Sequence, residues 1–469
     1  MLHLKIRLDN LSFAPAEPPP VDPDEMQMDA QTYRDLEIFE GEGGASSLFD
    51  LCNYTRSGAG AKALKARMKK PWARAERIRA VQESLSFISQ HRSAFDRLPS
   101  DAITGTLEKY LNGSLPLVTS DSKFEFWIWA LEVRFGDFRP YSRIARGVQA
   151  TSSLVRVLRK MASLRELTAA PGEVGALLAE MRALLARPAF AVVGEERWDL
   201  PAWQTLRIDR GFRLIEKDTI TRLLDIACAI DALVSMTDAV DKHGFVMPEI
   251  ADGPLGVEAD GVSHPFIKGA VPNPIALDQE RRMLFLTGPN MAGKTTYLRA
   301  CGIALYLAHL GMGVPARSFR FAPCERLFSS ITVNDNVRAG VSFFRAEALR
   351  VKAIAHAVTE GLRVVALMDE PFRGTNVKDA LDASEAVLER FAERDGNLFL
   401  VSSHLIELGE RLTASGRVDL RHFEASEHEG RLRFDYVLRP GVSSQRLGMR
   451  VLREEGIFDL LDRDVNGRT

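Results

Sequence analysis

Three short stretches carry residues whose types and spacing suit phosphate chemistry. The first is Gly288-Pro289-Asn290-Met291-Ala292-Gly293-Lys294-Thr295-Thr296. Gly288 and Gly293 permit tight turns that aim backbone N–H groups, and the start of a following helix, at an anion. Lys294 is a point charge within reach of the β and γ phosphates of ATP, and Thr295 offers a hydroxyl to Mg²⁺. The second stretch, VVALMDE, ends in Asp369-Glu370. Asp369 can hold Mg²⁺ through water, and Glu370 can orient and deprotonate an attacking water. The third, LFLVSSH, ends in His404. At a strand tip this imidazole is placed to hydrogen-bond the γ-phosphate or the attacking water. Together these residues supply most of what hydrolysis of ATP requires. No charge in the same chain closes the far side of the γ-phosphate, which invites a group from a second protomer.

The elements that must position these residues can be read from hydropathy patterning. MLFLT (283–287), RLFSSITV (326–333), VVALMD (364–369) and LFLVSS (398–403) are short continuous apolar runs separated by helical segments. That texture predicts a mostly parallel sheet buried on both faces. Before Gly244 the pattern is helical, with apolar residues recurring at three and four, as in AERIRAVQESLSFISQH and DTITRLLDIACAIDALVSMTDAVDKHG. Residues 14–23, PAEPPPVDPD, are too proline-rich for a helix or sheet interior and read as a lead-in.

Composition narrows the function classes. The chain has 469 residues, enough for two to four domains, and a net charge of −2, so any nucleic-acid contact must be a local patch. No apolar run is long enough to span a membrane, and the N-terminus lacks the apolar core of a signal peptide. Cys52, Cys228, Cys301 and Cys324 are far apart, without metal-ligand spacing or a disulfide framework, which fits a reduced cytoplasmic setting.

The motifs resemble those of the MutS mismatch-repair ATPases, of ABC type. TGPNMAGKTTYLR, LMDEPFRGTNVKDA, SSHLIEL, the stretch from Asp335 through Gly340 and Ser342 to Glu347, SHPFIKGAVPNPIAL (263–277) and FDYVLRPGVSSQRLGMRV follow that family's motifs in order. MDAQTYRDLEI (28–38) and the segment SLFDLCNYTRSGAGAKALKARMKKPW are similar to the opening of its helical core. The resemblance implies a multidomain chain: a proline-rich lead-in at 1–24, a mainly α-helical core and lever domain at 25–247, and an α/β P-loop ATPase and dimerisation domain at 248–469. It assigns Lys294 and Thr295 to phosphate and Mg²⁺, Asp369 and Glu370 to Mg²⁺ and water, and His404 to sensing the γ-phosphate. Asn273 and Ile275 match positions that hold adenine. Ser342 matches the serine that reaches the nucleotide of the opposite protomer, which implies a homodimer with composite sites. Pro371-Phe372 and Phe343 depart from the family pattern near the expected dimer contact. The recognition and connector domains of mismatch-reading members are not represented, and Phe124-Glu125-Phe126 reads as part of a core helix rather than a mismatch wedge. This disfavours specific mismatch reading.

Between Thr55 and Ala80 stand nine Lys or Arg and one acid. Lys62, Lys65, Lys69 and Lys70 are the candidate contacts to the DNA backbone, with Arg139–Arg165 a second basic region. Trp72 and Tyr54 read as core rather than as base-stacking platforms. The rival reading makes the basic helix a solvated face and the protein a nucleotide-switched dimer acting on a protein partner. No further carboxylate or histidine cluster supports a nuclease or kinase.

Overall fold

The computed structural model describes residues 22–119, 122–135, 138–194, 200–332, 343–413, 416–428, 431–443, 445 and 448–461. The lead-in up to residue 21 and the segment 333–342 fall outside them.

Helices dominate the first half: α1 Ala30–Asp35, α2 Leu48–Cys52, α3 Gly58–Met68, α4 Ala75–Gln90, α5 Asp101–Asn112, α6 Lys123–Phe135, α7 Phe138–Ala162, α8 Gly172–Leu185, α9 Ala202–Arg210 and α10 Lys217–His243. The longest, α10, is the central post, packed by α3, α4 and α8. From Ile220 to Val240 almost every apolar side chain of α10 is buried, so it is apolar nearly all round. Gly244 ends it in the left-handed region (φ 65°), where the lack of a Cβ is needed. Ser57 caps α3 by accepting the Gly60 N–H, and a side chain from α10 anchors the residue before it: both Asp231 carboxylate oxygens accept the Arg56 N–H at 3.1 Å. The first strand begins at Glu249.

The second half continues β1 Glu249–Ile250, β2 Val257–Val262, β3 Asn273–Leu277, β4 Met283–Thr287, α11 Lys294–His309, β5 Ser318–Phe321, β6 Arg326–Ser330, α12 Phe343–Thr359, β7 Val364–Asp369, α13 Val377–Ala392, β8 Asn397–Ser402, α14 Ile406–Leu412 and β9 Val418–His422. The hairpin β10 Ala425–His428 and β11 Arg431–Phe434, the edge strand β12 Arg439–Pro440, and helices α15 Gly448–Glu454 and α16 Ile457–Leu461 complete it. The main sheet has the order β12-β9-β4-β8-β7-β6, parallel except for β12. A smaller sheet runs β1-β5-β2-β3. The four apolar runs are thus strands of one parallel sheet, and their continuity has a plain cause. Leu284, Leu286, Val365, Leu367, Leu398 and Leu400 face one core, while Met283, Phe285, Ala366, Met368, Phe399 and Val401 face the other. The second face is covered by α12, α13 and α14. The first belongs to one continuous core that also holds α11 and the helices of the first half.

The joint between the halves is the segment Asp29–Ile38. Gln27 donates its N–H to Glu325 and accepts from Leu327, adding itself beside β6. Asp35, only 2% exposed, accepts from Ser329 Oγ and from the N–H groups of Ile331 and Thr332. Arg350 on α12 pairs with Asp29. Leu36 meets α11 and β7 at Gly302, where an added Cβ would lie 2.5 Å from Leu367 and 2.7 Å from Leu36. Gly302→Val should therefore lower stability by about 1–3 kcal/mol through overpacking, seen as a lower denaturation midpoint. An unchanged midpoint would show that this layer relaxes freely.

Candidate functional site

Strand order brings the three chemical stretches together. In the order β4-β8-β7, the residues following each strand lie side by side at the carboxyl edge of the sheet. Gly288 follows β4, His404 follows β8, and Asp369 ends β7 in register with Ser402.

The loop 288–293 runs into α11, whose N-cap Gly293 (φ 100°) provides no side-chain cap, so the first N–H groups of a sixteen-residue helix are left open. Gly288 sits at φ 146°, and a Cβ there would come within 2.8 Å of the Phe423 carbonyl oxygen. Lys294 is 5% exposed and curls inward, donating to the carbonyls of Gly288 (2.9 Å) and Pro289 (3.2 Å). Burial pushes its pKa down, while Glu370 and Asp369 pull it back up. An ammonium so buried and held by neutral carbonyls suits an anionic ligand.

Thr295 Oγ donates to Asp369 Oδ2 at 2.6 Å, and Ser402 Oγ bonds the other Asp369 oxygen. The two expected Mg²⁺ residues therefore lie side by side, a hydroxyl and a carboxylate suited to a hard cation. Glu370 receives His404 Nδ1 at 2.8 Å, lies 4.0 Å from Lys294 Nζ, and donates its own N–H to the Ser402 carbonyl. Burial raises the Glu370 pKa, but the His404 hydrogen bond and the charges of His404, Lys294 and Arg373 outweigh it and hold the carboxyl below its ordinary value. It is thus kept ionised, as a proton acceptor must be. His404, expected at phosphate or water, contacts this carboxylate.

Of these groups Lys294, Thr295 and Glu370 border a cavity of about 610 Å³, while Asp369 and His404 stand behind Thr295 and Glu370 as their hydrogen-bond partners. Asn290, Met291, Gly293, Lys294, Thr295, Thr296 and Glu370 line one side. Ala292 is buried within the loop. Asn273 reaches the wall, yet its side chain is spent on backbone: it donates to Val271 and Tyr436 carbonyls and accepts from Leu438 N–H. Ile275 is 2% exposed, points into the core and is not among the lining residues. Ser342 lies outside the described residues. Sequence reasoning missed Tyr436, which lines the cavity with 43% exposure and presents an aromatic ring beside Gly293. It also missed Phe423 and His264. His264 and Tyr436 lie inside the stretches SHPFIKGAVPNPIAL and FDYVLRPGVSSQRLGMRV, a signal that could have flagged them, whereas Phe423 carries no spacing signal.

Strain concentrates here. Among the described residues the non-glycine positions with positive φ are Glu37, Met291, Glu370, Phe372 and Tyr436. Met291, Glu370 and Tyr436 line the cavity, and Phe372 follows Glu370 closely. Such conformations persist only where surroundings impose them. Phe372 is held by burial against Phe344 of α12 (ring centroids 6.0 Å), and Gly374 N–H by the buried Glu347 of the same helix at 3.1 Å. Tyr436 is held through Asn273. Asn273→Leu should free this turn and raise hydrogen–deuterium exchange at the Leu438 amide by at least about tenfold, the scale of one lost buried hydrogen bond. Unchanged exchange would deny Asn273 its bracing role.

Elsewhere, the described residues contain no group of three or more His, Cys, Asp or Glu able to hold a metal, and no helix long and apolar enough to cross a membrane. All four cysteines are buried free thiols.

The match to known proteins falls on the same part of the chain. Residues 284–461, from within β4 to the end of α16, match the family described as MutS domain V, the ATPase domain of that family. This part of the chain, 178 of its 469 residues, is therefore similar to MutS domain V.

Proposed function

We propose that this chain is an ATPase that couples ATP hydrolysis in a dimer to engagement of duplex or branched DNA. The observation that carries the reading is the convergence of Lys294, Thr295 and Glu370 on one cavity, with Asp369 bonded to Thr295 and His404 to Glu370. The residues fit ATP and Mg²⁺: glycines where a Cβ would collide, an uncapped helix start, a buried ammonium, and a hydroxyl paired with a carboxylate. Thr295 and Asp369 would hold Mg²⁺, which supplies charge neutralisation on the phosphates when bound. Lys294 exchanges its carbonyl partners for phosphate oxygens. Glu370 accepts the proton of the attacking water at Oε, and His404 fixes the carboxylate's direction. The Tyr436 ring offers a flat face for adenine. Closure of the far side of the γ-phosphate is assigned to Ser342 of a second protomer.

For DNA, the fold trims the basic run. Arg56 pairs with Asp96, Lys62 with Glu108, Arg67 with Glu173, Lys70 with Glu25, Arg74 and Arg77 with Asp24, and Arg79 with Asp252. Lys65 and Lys69 lie over the rings of Phe39 and Phe49 instead. Lys62, Lys65 and Lys69 form an exposed stripe at helical spacing along α3. Exposed ion pairs of this kind are weak and yield to phosphate.

One observation favours the rival reading, a nucleotide-switched module for a protein partner. On α6, Phe126 is buried, but Phe124 (73% exposed), Trp127 (61%), Ile128 (42%) and Leu131 (46%) form an apolar stripe in solvent. The helix expected to be core is therefore core on one side only.

Two experiments decide. Glu370→Gln should still bind ATP while steady-state turnover falls by about 10²–10⁴-fold, whereas Lys294→Ala should weaken nucleotide binding itself. Wild-type turnover in Glu370→Gln removes the role given to that carboxylate. Replacing Lys62, Lys65 and Lys69 by Gln should weaken duplex binding and flatten its dependence on salt by about three contacts' worth of slope. An unchanged slope places the DNA path elsewhere or supports the partner reading.

A further inference from the structure

The cavity extends past the phosphate chemistry. Val262, Ser263, His264, Ile267 and Lys268 line this part, together with Thr296 and Ala300 of α11. Ala300 lies six residues along α11 from Lys294, about 9 Å of helix rise. That is the reach a nucleoside needs beyond phosphates seated at the helix start.

His264 follows the end of β2 and is 8% exposed. Its Nδ1 is fully buried without a hydrogen-bond partner, and so is Nε of Arg299. Burial, with the Arg299 charge acting on the ring, pushes the His264 pKa down to about 4. At neutral pH the ring is therefore uncharged and offers one N–H and one lone pair. Its neighbours account for packing, with Phe266 at 5.7 Å between ring centroids. They do not account for its polarity. A buried imidazole left short of partners costs free energy unless a ligand or water completes it.

We propose that His264 is a base-reading residue of this cavity, hydrogen-bonding the edge of the purine of a bound adenine nucleotide. The assignment rests on the cavity being the ATP site. An uncharged imidazole pairs with the donor and acceptor pattern of a base and discriminates between purines, which a fixed charge does poorly. Two groups act with it: the Arg299 cation disfavours protonation of the ring, and Tyr436 supplies a stacking face at the same cavity.

The test is displacement of a fluorescent ATP analogue by ATP and by GTP, with Mg²⁺ present, on the full chain. His264→Leu should lose about five- to tenfold in ATP affinity, the worth of one neutral hydrogen bond, with GTP affinity changed by less than about twofold. His264→Asn, which keeps a polar group near the Nδ1 position, should retain most of the preference for ATP. A folding check by thermal melting accompanies both variants. Equal losses for ATP and GTP, an unchanged ATP:GTP ratio in His264→Leu, or no preference in the unsubstituted protein would each overturn the assignment to the base. The ATP-site reading fails separately, and takes this proposal with it, if the unsubstituted protein binds neither nucleotide or if Lys294→Ala binds both as well as it does.

Discussion

Gly302 marks the close approach on which the joint between the two halves depends. There α11 is pressed between β7 and Leu36, with no room for a Cβ on the helix. This close approach sets the height of α11 above the sheet. Its N-terminus, with Lys294, then lies opposite the tip of β7, where Asp369 and Glu370 sit. It also fuses the two halves, because Leu36 belongs to the same segment that grips β6 through Asp35 and α12 through Asp29. Close-packed interiors transmit such constraints instead of absorbing them. Glu37, the next residue, takes up a positive φ and pairs with Arg299 of α11, so polar and apolar contacts fix the same register.

The site carries costs that this framework must sustain. Lys294 is a buried cation, Asp369 shares its oxygens between two hydroxyls, and Glu370 holds an unfavourable backbone conformation. Each is offset locally: carbonyls around Lys294, Ser402 on both the side chain of Asp369 and the N–H of Glu370, and His404 on the carboxylate. The turn after Glu370 is tied to α12 through Phe372 with Phe344 and Gly374 with Glu347. The departure Pro371-Phe372 is thus a packing element at the active edge. It joins the segment after Glu370 to the helix that follows residues 333–342.

The basic run shows how sequence texture misleads about charge. Locally, nine cations face one acid. In the fold, acids from residues as distant as Glu173 and Asp252 arrive beside seven of them. What remains for a polyanion is a narrow stripe on α3. This stripe rests on the rings of Phe39 and Phe49, which lead back through Ile38 and Leu36 to α11 and β7. The surface proposed to meet DNA and the helix proposed to bind phosphate are therefore in contact through one short segment.

The sequence by itself determined the parts whose causes are local. A strand buried on both faces must be continuously apolar, so the four central strands were legible within a residue or two, apart from the last three residues of the second run. A phosphate-type loop needs glycine and lysine at set spacing, and an acidic pair at the end of an apolar run stands out, so Lys294, Thr295, Asp369 and Glu370 could be singled out as candidates. Tertiary structure alone decided what depends on distant partners. His404 faces Glu370 because β8 lies beside β7. Asn273 braces Tyr436 because β3 meets the turn before β12, and Ile275 faces the core. His264 and Tyr436 reach the cavity from segments about 170 residues apart. No spacing rule encodes such a meeting, since it is set by strand order and close packing rather than by any pattern within either segment.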